Sequence, residues 1–365
     1  MHFNDMEEII KLTPQWKGER LPDGRPKVDE KYLKALNNLT LEEVWKPIFV
    51  LGYESQFEGR LHTLHDDGRK LIGRAVTAVY CPYRPDLDEV VKNIGRAENR
   101  TGTYNQWVVD NLMEWDVPVI DMYDKIYKGT FLGGNLTTAL KNKTKSENAG
   151  AVVWGGIRDT EQMKKVADTQ VYYRGIDPTP IRDFIMTGYN TATRIGNAIC
   201  LPGDVVFGTG GGVLFIPSHL VEEVVGNAAK TQVKDLFGFE MITLNKFTTA
   251  QIDKNTWTKE MLDLLMDFIE KDDRAAEYRG MDWSHEYDLN KFIAHRHDKP
   301  RSNLLYLFVK RTIFRHGNRR KIITLIRRHI GFARQQERNT AVIFLAEINI
   351  VKHNGTFKAF KAVIR

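Results

Sequence analysis

Two short glycine-containing segments carry the residue types that could hold a small acid. The first is Gly133-Gly134-Asn135-Leu136, which follows a strand-like run and opens a helical one. A helix start leaves backbone N–H groups without intrahelical acceptors at the positive end of the dipole, an arrangement that holds anions. The glycines let a carboxylate or phosphate approach the backbone closely, although an ordinary strand-to-helix turn has the same sequence. The second segment is Gly155-Gly156-Ile157-Arg158-Asp159, placed where the next strand ends and the next helix begins. Both segments therefore fall on the carboxyl edge of an α/β sheet, where ligands bind. Arg158 offers a planar fork of donors to a carboxylate or keto acid, and Asp159 offers hard oxygens to a divalent cation, directly or through water. The pair suits a metal-bound 2-oxo acid. Two structural roles stand beside this one: Asp159 could cap the helix begun by Thr160-Glu161-Gln162, and Arg158 could form a salt bridge.

Other chemistries find no support. Gly208-Thr209-Gly210-Gly211-Gly212 has the glycines of a dinucleotide loop but runs into the strand-like Val213-Leu214-Phe215-Ile216 instead of a helix. No GxxxxGK[ST] loop, HExxH helix or GxSxG elbow occurs. Cys81 and Cys200 are the only two cysteines, each in an apolar stretch, so there is neither a disulfide framework nor a CxxC pair. His295 and His297 sit among charged residues and read as surface histidines. The N-terminus lacks the pattern of a secretory signal, and no apolar run approaches membrane-spanning length, so a soluble, cytoplasmic protein is expected.

The elements that must position the two segments are short apolar runs at Ile72–Tyr80, Val117–Met122, Gly150–Trp154 and Val171–Tyr173, read as buried strands. Leu136–Lys145 and Thr160–Asp168 between them suit amphipathic helices, giving a β-α-β-α-β succession and an α/β fold. Ahead of these, the prolines and glycines of residues 12–30 read as an extended lead-in arm, and Thr40-Leu41-Glu42-Glu43 has the spacing of a capping box. Residues 203–217 read as strand, glycine turn, strand, and Trp257–Lys271 as a helix. The expected organisation is an arm and first helix over 1–44, a core over 45–235, a helical extension over 236–300 and a tail over 301–365. That tail holds 15 Lys or Arg against 2 Asp or Glu, leaving 38 basic and 45 acidic residues in 1–300, so the net charge of +6 belongs to the tail alone. Such an arm can contact nucleic acid or be a solvated surface, and its Asn354-Gly355 pair suits a type I′ hairpin within a helix-plus-hairpin module.

The glycine turn before a helix, the strand ending in Gly155-Gly156-Ile157-Arg158-Asp159 and the segment Pro202-Gly203-Asp204-Val205-Val206 through Ile216-Pro217 together resemble the RraA-like family, over roughly residues 36–235. Arg84–Val91 and Phe247–Asp253 are similar to a longer subgroup, extending the likeness from Trp16 to about residue 292. The resemblance implies a compact α/β/β/α swivelling-type core, a homotrimer or hexamer, and sites between subunits. It implies one of two activities. Enzymatic members are divalent-metal-dependent carbon–carbon lyases, aldolases or oxaloacetate decarboxylases, acting on a 2-oxo acid through a pyruvate enolate. Other members are non-catalytic regulators that bind a ribonuclease. By motif position, Arg158 would bind substrate and stabilise the enolate, Asp159 would anchor Mg²⁺ (or Mn²⁺), and Gly133, Gly134, Asn135 and Leu136 would offer backbone N–H groups to the substrate carboxylate. The sequence departs from the family at Gly134, where an acidic residue is common, and at Gly155, where Asp or Asn is common. It also carries a short insertion near Lys141–Asn148. A glutamate contributed by a neighbouring subunit has no recognisable equivalent around residues 225–235.

Overall fold

The structure, a computed structural model, describes residues 3–254, 256–294, 350–353 and 356–359. The chain divides into two compact units, Met1–Gln232 and Val233–Arg365.

The first unit begins with an element that the sequence reading did not anticipate, helix α1 (Met6–Leu12), whose N-cap Asp5 accepts from the N–H groups of Glu7 and Glu8. The expected extended arm follows and is tied down. Arg25 is fully buried and reaches Asp116 through two 2.8 Å bonds and Asp23 through a 2.6 Å bond, which fixes the arm to the sheet. Helices α2 (Glu30–Ala35) and α3 (Leu41–Val50) follow. The capping box expected at α3 is present, with the Thr40 N–H donating to Glu43 Oε2 at 2.8 Å and the Glu43 N–H to Thr40 Oγ1 at 3.4 Å.

Short strands β1 (Phe57–Glu58) and β2 (His62–Thr63) precede the long β3 (Leu71–Pro82). Helices α4 (Pro85–Ala97) and α5 (Tyr104–Asp110) lead to β4 (Asp116–Asp121), α6 (Gly134–Thr144) to β5 (Ala149–Ile157), and α7 (Thr160–Met163) to β6 (Thr169–Ile176). Strands β3, β4, β5 and β6 are parallel neighbours, the β-α-β succession expected from the apolar runs. The helix expected over Thr160–Asp168 is shorter, because the chain leaves α7 at Met163 and turns through Asp168 at φ 52° to enter β6. Next come β7 (Phe184–Tyr189), the small hairpin β8 (Thr193–Ile195) and β9 (Ala198–Cys200), and the expected hairpin β10 (Val205–Thr209) and β11 (Gly212–Ile216). In the main sheet the order is β1-β11-β10-β3-β4-β5-β6-β2, with β7 added to the far half of β3.

Side-chain alternation along the strands turns this sheet into layers. Ile120, Met122 and Val153 face α4–α7 through Val91, Trp107, Val108, Leu140 and Met163. On the reverse face, Val119, Val152, Trp154 and Tyr172 pack against Val206, Val213 and Phe215 of the β10–β11 half and against Ile195 and Cys200 of β8–β9. The outer face of that half, Val205, Phe207, Leu214 and Ile216, is covered by Leu36, Val44 and Ile48 and by Val221, Val224 and Ala228. These last belong to α8 (Val221–Thr243), which follows the sheet. The sheet thus folds over itself through β3, and the layering is α/β/β/α.

The second unit contains α9 (Thr249–Ile252), α10 (Lys259–Lys271, expected as Trp257–Lys271) and α11 (Ser284–Ala294). Helix α10 starts at Thr258, whose Oγ1 accepts from the Met261 N–H, and buries Met261, Leu262, Leu265, Phe268 and Ile269. Phe237 lies 5.6 Å from both the Trp257 and Phe268 rings. In the tail, β12 (Ile350–His353) pairs antiparallel with β13 (Thr356–Ala359), as the hairpin expectation required. Asn354-Gly355, His295, His297 and the rest of the expected tail module lie outside the described residues.

Candidate functional site

The two glycine segments, 22 residues apart between Gly133 and Gly155, are joined by backbone pairing. Leu132 forms a parallel bridge with Ile157, the Phe131 N–H donates to Gly156 O at 3.0 Å, and the Arg158 N–H donates to Leu132 O at 2.9 Å. The chain entering α6 therefore runs beside the end of β5, and Gly133 meets Arg158 and Asp159 where both strands finish.

The space over Gly133 is taken by the two site side chains. A Cβ built on it would lie 2.6 Å from Asp159 Oδ2 and 3.1 Å from Arg158 Cγ, so both side chains would have to move to admit one. Gly133 is the N-cap of α6, and its carbonyl accepts from the Thr137 N–H at 3.0 Å and the Thr137 hydroxyl at 2.9 Å. The N–H groups of Gly134, Asn135 and Leu136 precede the first intrahelical donor at the positive end of the helix, and that of Gly134 donates to Asp159 Oδ2 at 3.4 Å.

Asp159 occupies the N-cap position of α7 in the left-handed region, at φ 54°, a conformation that Asp tolerates better than most residues. Its main-chain carbonyl starts α7 by accepting from the Gln162 and Met163 N–H groups, both at 2.9 Å. The side chain does not cap α7. Its carboxylate instead turns to the start of α6, where Oδ2 lies 3.4 Å from the Gly134 nitrogen and 3.7 Å from Arg158 Nε. Both side chains remain reachable, with 38% of Arg158 and 30% of Asp159 exposed. Of the two structural roles open in the sequence, side-chain capping is not what the structure shows, and the salt bridge is a loose contact between neighbours. The structure thus brings Gly133, Gly134, Asn135, Leu136, Arg158 and Asp159 to one place.

The departures at Gly134 and Gly155 have local causes. A Cβ on Gly134 would fall 2.5 Å from Gln162 Oε1, so the Gln162 side chain fills the space that a residue there would use. A Cβ on Gly155 would lie 2.7 Å from Met122 Cβ and 2.9 Å from the Lys125 carbonyl, because the loop after β4 folds down on the end of β5. That loop also rests on the two glycines Gly156 and Gly175 through Ile126.

Sequence reading missed Gln162, whose side chain reaches the start of a different helix, and Asp121. Asp121 ends β4 opposite Trp154 and is 9% exposed; burial raises its pKa, against the Tyr123 N–H, which donates to it at 2.8 Å, and the charge of Arg194. A more deeply buried carboxyl, Asp204, accepts from the N–H groups of Leu201 and Ser218, and burial pushes it up to about 7. Neither signal is legible locally, since both depend on what the folded sheet places over the carboxyl group.

Among the described residues no group of three or more His, Cys, Asp or Glu side chains could hold a metal ion, and no helix is long and apolar enough to cross a membrane. At this site Asp159 offers one partly exposed carboxylate. That donor set fits Mg²⁺, which keeps several waters and is held by one or two carboxylates.

Residues 47–215 match the family model RraA-like, described as Aldolase/RraA. A curated relative, Protein DlpA of Legionella pneumophila, is 30% identical over 160 residues, covering 43% of this chain; the match takes in only 23% of that relative's length. Among solved structures, Streptomyces coelicolor RraAS2, described as an unusual member of the RNase ES inhibitor RraA protein family, is 21% identical over 60% of this chain and 98% of its own, with a TM-score of 0.47. A structure described among novel cellulases from microbes associated with the gut ecosystem is 24% identical over 63% of this chain and 95% of its own, with a TM-score of 0.50, a likeness of fold.

Proposed function

We propose, from the premise that this chain is an RraA-like protein by its domain at residues 47–215, that the Arg158–Asp159 site is that of a divalent-metal-dependent carbon–carbon lyase acting on a 2-oxo acid. The family covers aldolase and decarboxylase members as well as regulators. The observation that carries the catalytic reading is the orientation of Asp159: its carboxylate leaves its own helix and stands with Arg158 over the first turn of α6.

In this reading the N–H groups of Asn135 and Leu136, next to the Gly134 N–H that donates to Asp159, receive the substrate carboxylate, which is favoured by the helix dipole. Arg158 directs its donors at the 2-oxo oxygen, where negative charge develops as the C3–C4 bond breaks. The electron pair of that bond passes into the enolate of pyruvate, while carbon dioxide departs, or a carbonyl compound departs as its C4 hydroxyl gives up its proton to solvent, and a proton from solvent later returns to C3. Asp159 would hold Mg²⁺ or Mn²⁺, which when bound supplies Lewis-acid stabilisation of the same oxygen. A homotrimer or hexamer with its sites between subunits belongs to the same proposal, as does a cytoplasmic location.

The test is pyruvate release from oxaloacetate and from 4-hydroxy-4-methyl-2-oxoglutarate with Mg²⁺, with Mn²⁺ and with EDTA, after subtraction of the metal-only rate. Metal-dependent turnover supports the lyase. No turnover together with no metal binding would overturn it in favour of a non-catalytic regulator of a ribonuclease or another protein.

A further inference from the structure

Helix α6 has no carboxylate of its own at its start: no acidic residue stands in its first turn, and its N-cap Gly133 has no side chain to offer. Helices α1 and α2, by contrast, are capped by the aspartates that precede them, Asp5 and Asp29. The carboxylate at the start of α6 comes from Asp159, 25 residues from Gly134, whose N–H it receives at 3.4 Å. The same oxygen stands 2.6 Å from the point where a Gly133 Cβ would be, so it lies over both glycines. Asp159 is also the residue assigned to the divalent ion, and the next two residues of α6, Asn135 and Leu136, carry the N–H groups assigned to the substrate carboxylate. A full negative charge therefore stands within one helical turn of the place where a second must bind, and Arg158, its Nε 3.7 Å away, offsets it only in part.

From this arrangement we infer that Asp159 gates the site: its carboxylate holds off the 2-oxo acid until a divalent ion sits on it, so the acid binds well only after the metal. The inference rests on the 2-oxo acid reading and adds its regulation. The positive end of a helix favours an anion, and a protein carboxylate already placed there competes with an incoming one. A divalent ion on Asp159 turns the local charge from one negative to one positive. Charges about 5 Å apart at a partly exposed site change a binding constant by about tenfold for each unit of charge. The coupling is reciprocal, so the acid strengthens metal binding by the same factor as the metal strengthens acid binding.

The experiment titrates pyruvate by ligand-observed NMR into the full-length wild type and Asp159→Asn, each in EDTA and in excess Mg²⁺, and measures Mg²⁺ binding by calorimetry with and without pyruvate. Asparagine removes the charge, keeps an oxygen for the Gly134 N–H and tolerates the left-handed backbone at φ 54°, so the fold should stand. In EDTA the variant should bind pyruvate about tenfold more tightly than wild type. Excess Mg²⁺ should tighten wild-type binding about a hundredfold and leave the variant unchanged, and pyruvate should tighten wild-type Mg²⁺ binding by the same factor. A variant that binds pyruvate no more tightly than wild type in EDTA, or a wild type that binds it equally with and without Mg²⁺, would overturn the gate while leaving the acid site in place. Pyruvate binding by neither protein under either condition would refute the 2-oxo acid reading and the inference with it.

Discussion

Gly133→Ala tests whether the glycine exists to let Arg158 and Asp159 stand against the start of α6. Its backbone is extended, at φ −148° and ψ −172°, which alanine adopts without strain. The new methyl would lie 2.6 Å from Asp159 Oδ2, and ordinary contact begins near 3.4 Å, so the carboxylate must retreat by about 0.8 Å. Arg158 Cγ, at 3.1 Å, must move by a few tenths of an ångström. Both side chains are partly exposed and can swing outward, so the fold should survive, with about 1 kcal/mol lost through replacing glycine by alanine at an N-cap. Catalysis is less tolerant, since a displacement near 1 Å can cost about a hundredfold. The expected result is a fall of roughly fiftyfold to a hundredfold in kcat/KM for pyruvate release, with a melting temperature only a few degrees below wild type. Activity within threefold of wild type would refute the claim that this contact sets the site geometry.

Arg25→Met should cost about 3–5 kcal/mol in chemical denaturation, because it leaves the fully buried Asp116 without its counter-charge; the additional change Asp116→Asn should recover part of that loss. Asp204 makes a pH prediction. Its folded pKa of about 7 lies above its ordinary value of 3.8, so its contribution is fully present below about pH 4 and is lost as pH rises to about 7, a change of roughly 4 kcal/mol. Denaturation midpoints measured from pH 4 to pH 8 should show this loss in the wild type, and Asp204→Asn should flatten it by about one proton; an unaltered slope would contradict the assignment.

The α/β class was legible because strands buried on both faces are written as continuous apolar runs, as in β4 and β5, and because the capping box before α3 and the glycine turn between β10 and β11 are local signals. The residues of the candidate site stand out for a similar reason: a glycine pair at a helix start and an Arg-Asp pair at a strand end are each read within a few positions. What joins them is not. The bridge between Leu132 and Ile157 depends on the loop after β4 folding over β5, and the bond between Arg25 and Asp116 spans 91 residues. Helix α7 ended early because the chain had to turn into β6, a tertiary demand that overrode a helical composition. The position of the Gln162 side chain beside Gly134 is likewise a tertiary fact, since in sequence Gln162 stands at a capping-box position.

The most direct test of the central claim is Arg158→Ala, assayed for pyruvate release from oxaloacetate with Mg²⁺ and compared with wild type at matched melting temperature. Loss of about a hundredfold or more in kcat is predicted if the guanidinium stabilises the enolate oxygen. A variant that keeps wild-type turnover would show that Arg158 serves only its loose pairing with Asp159, and would contradict the account.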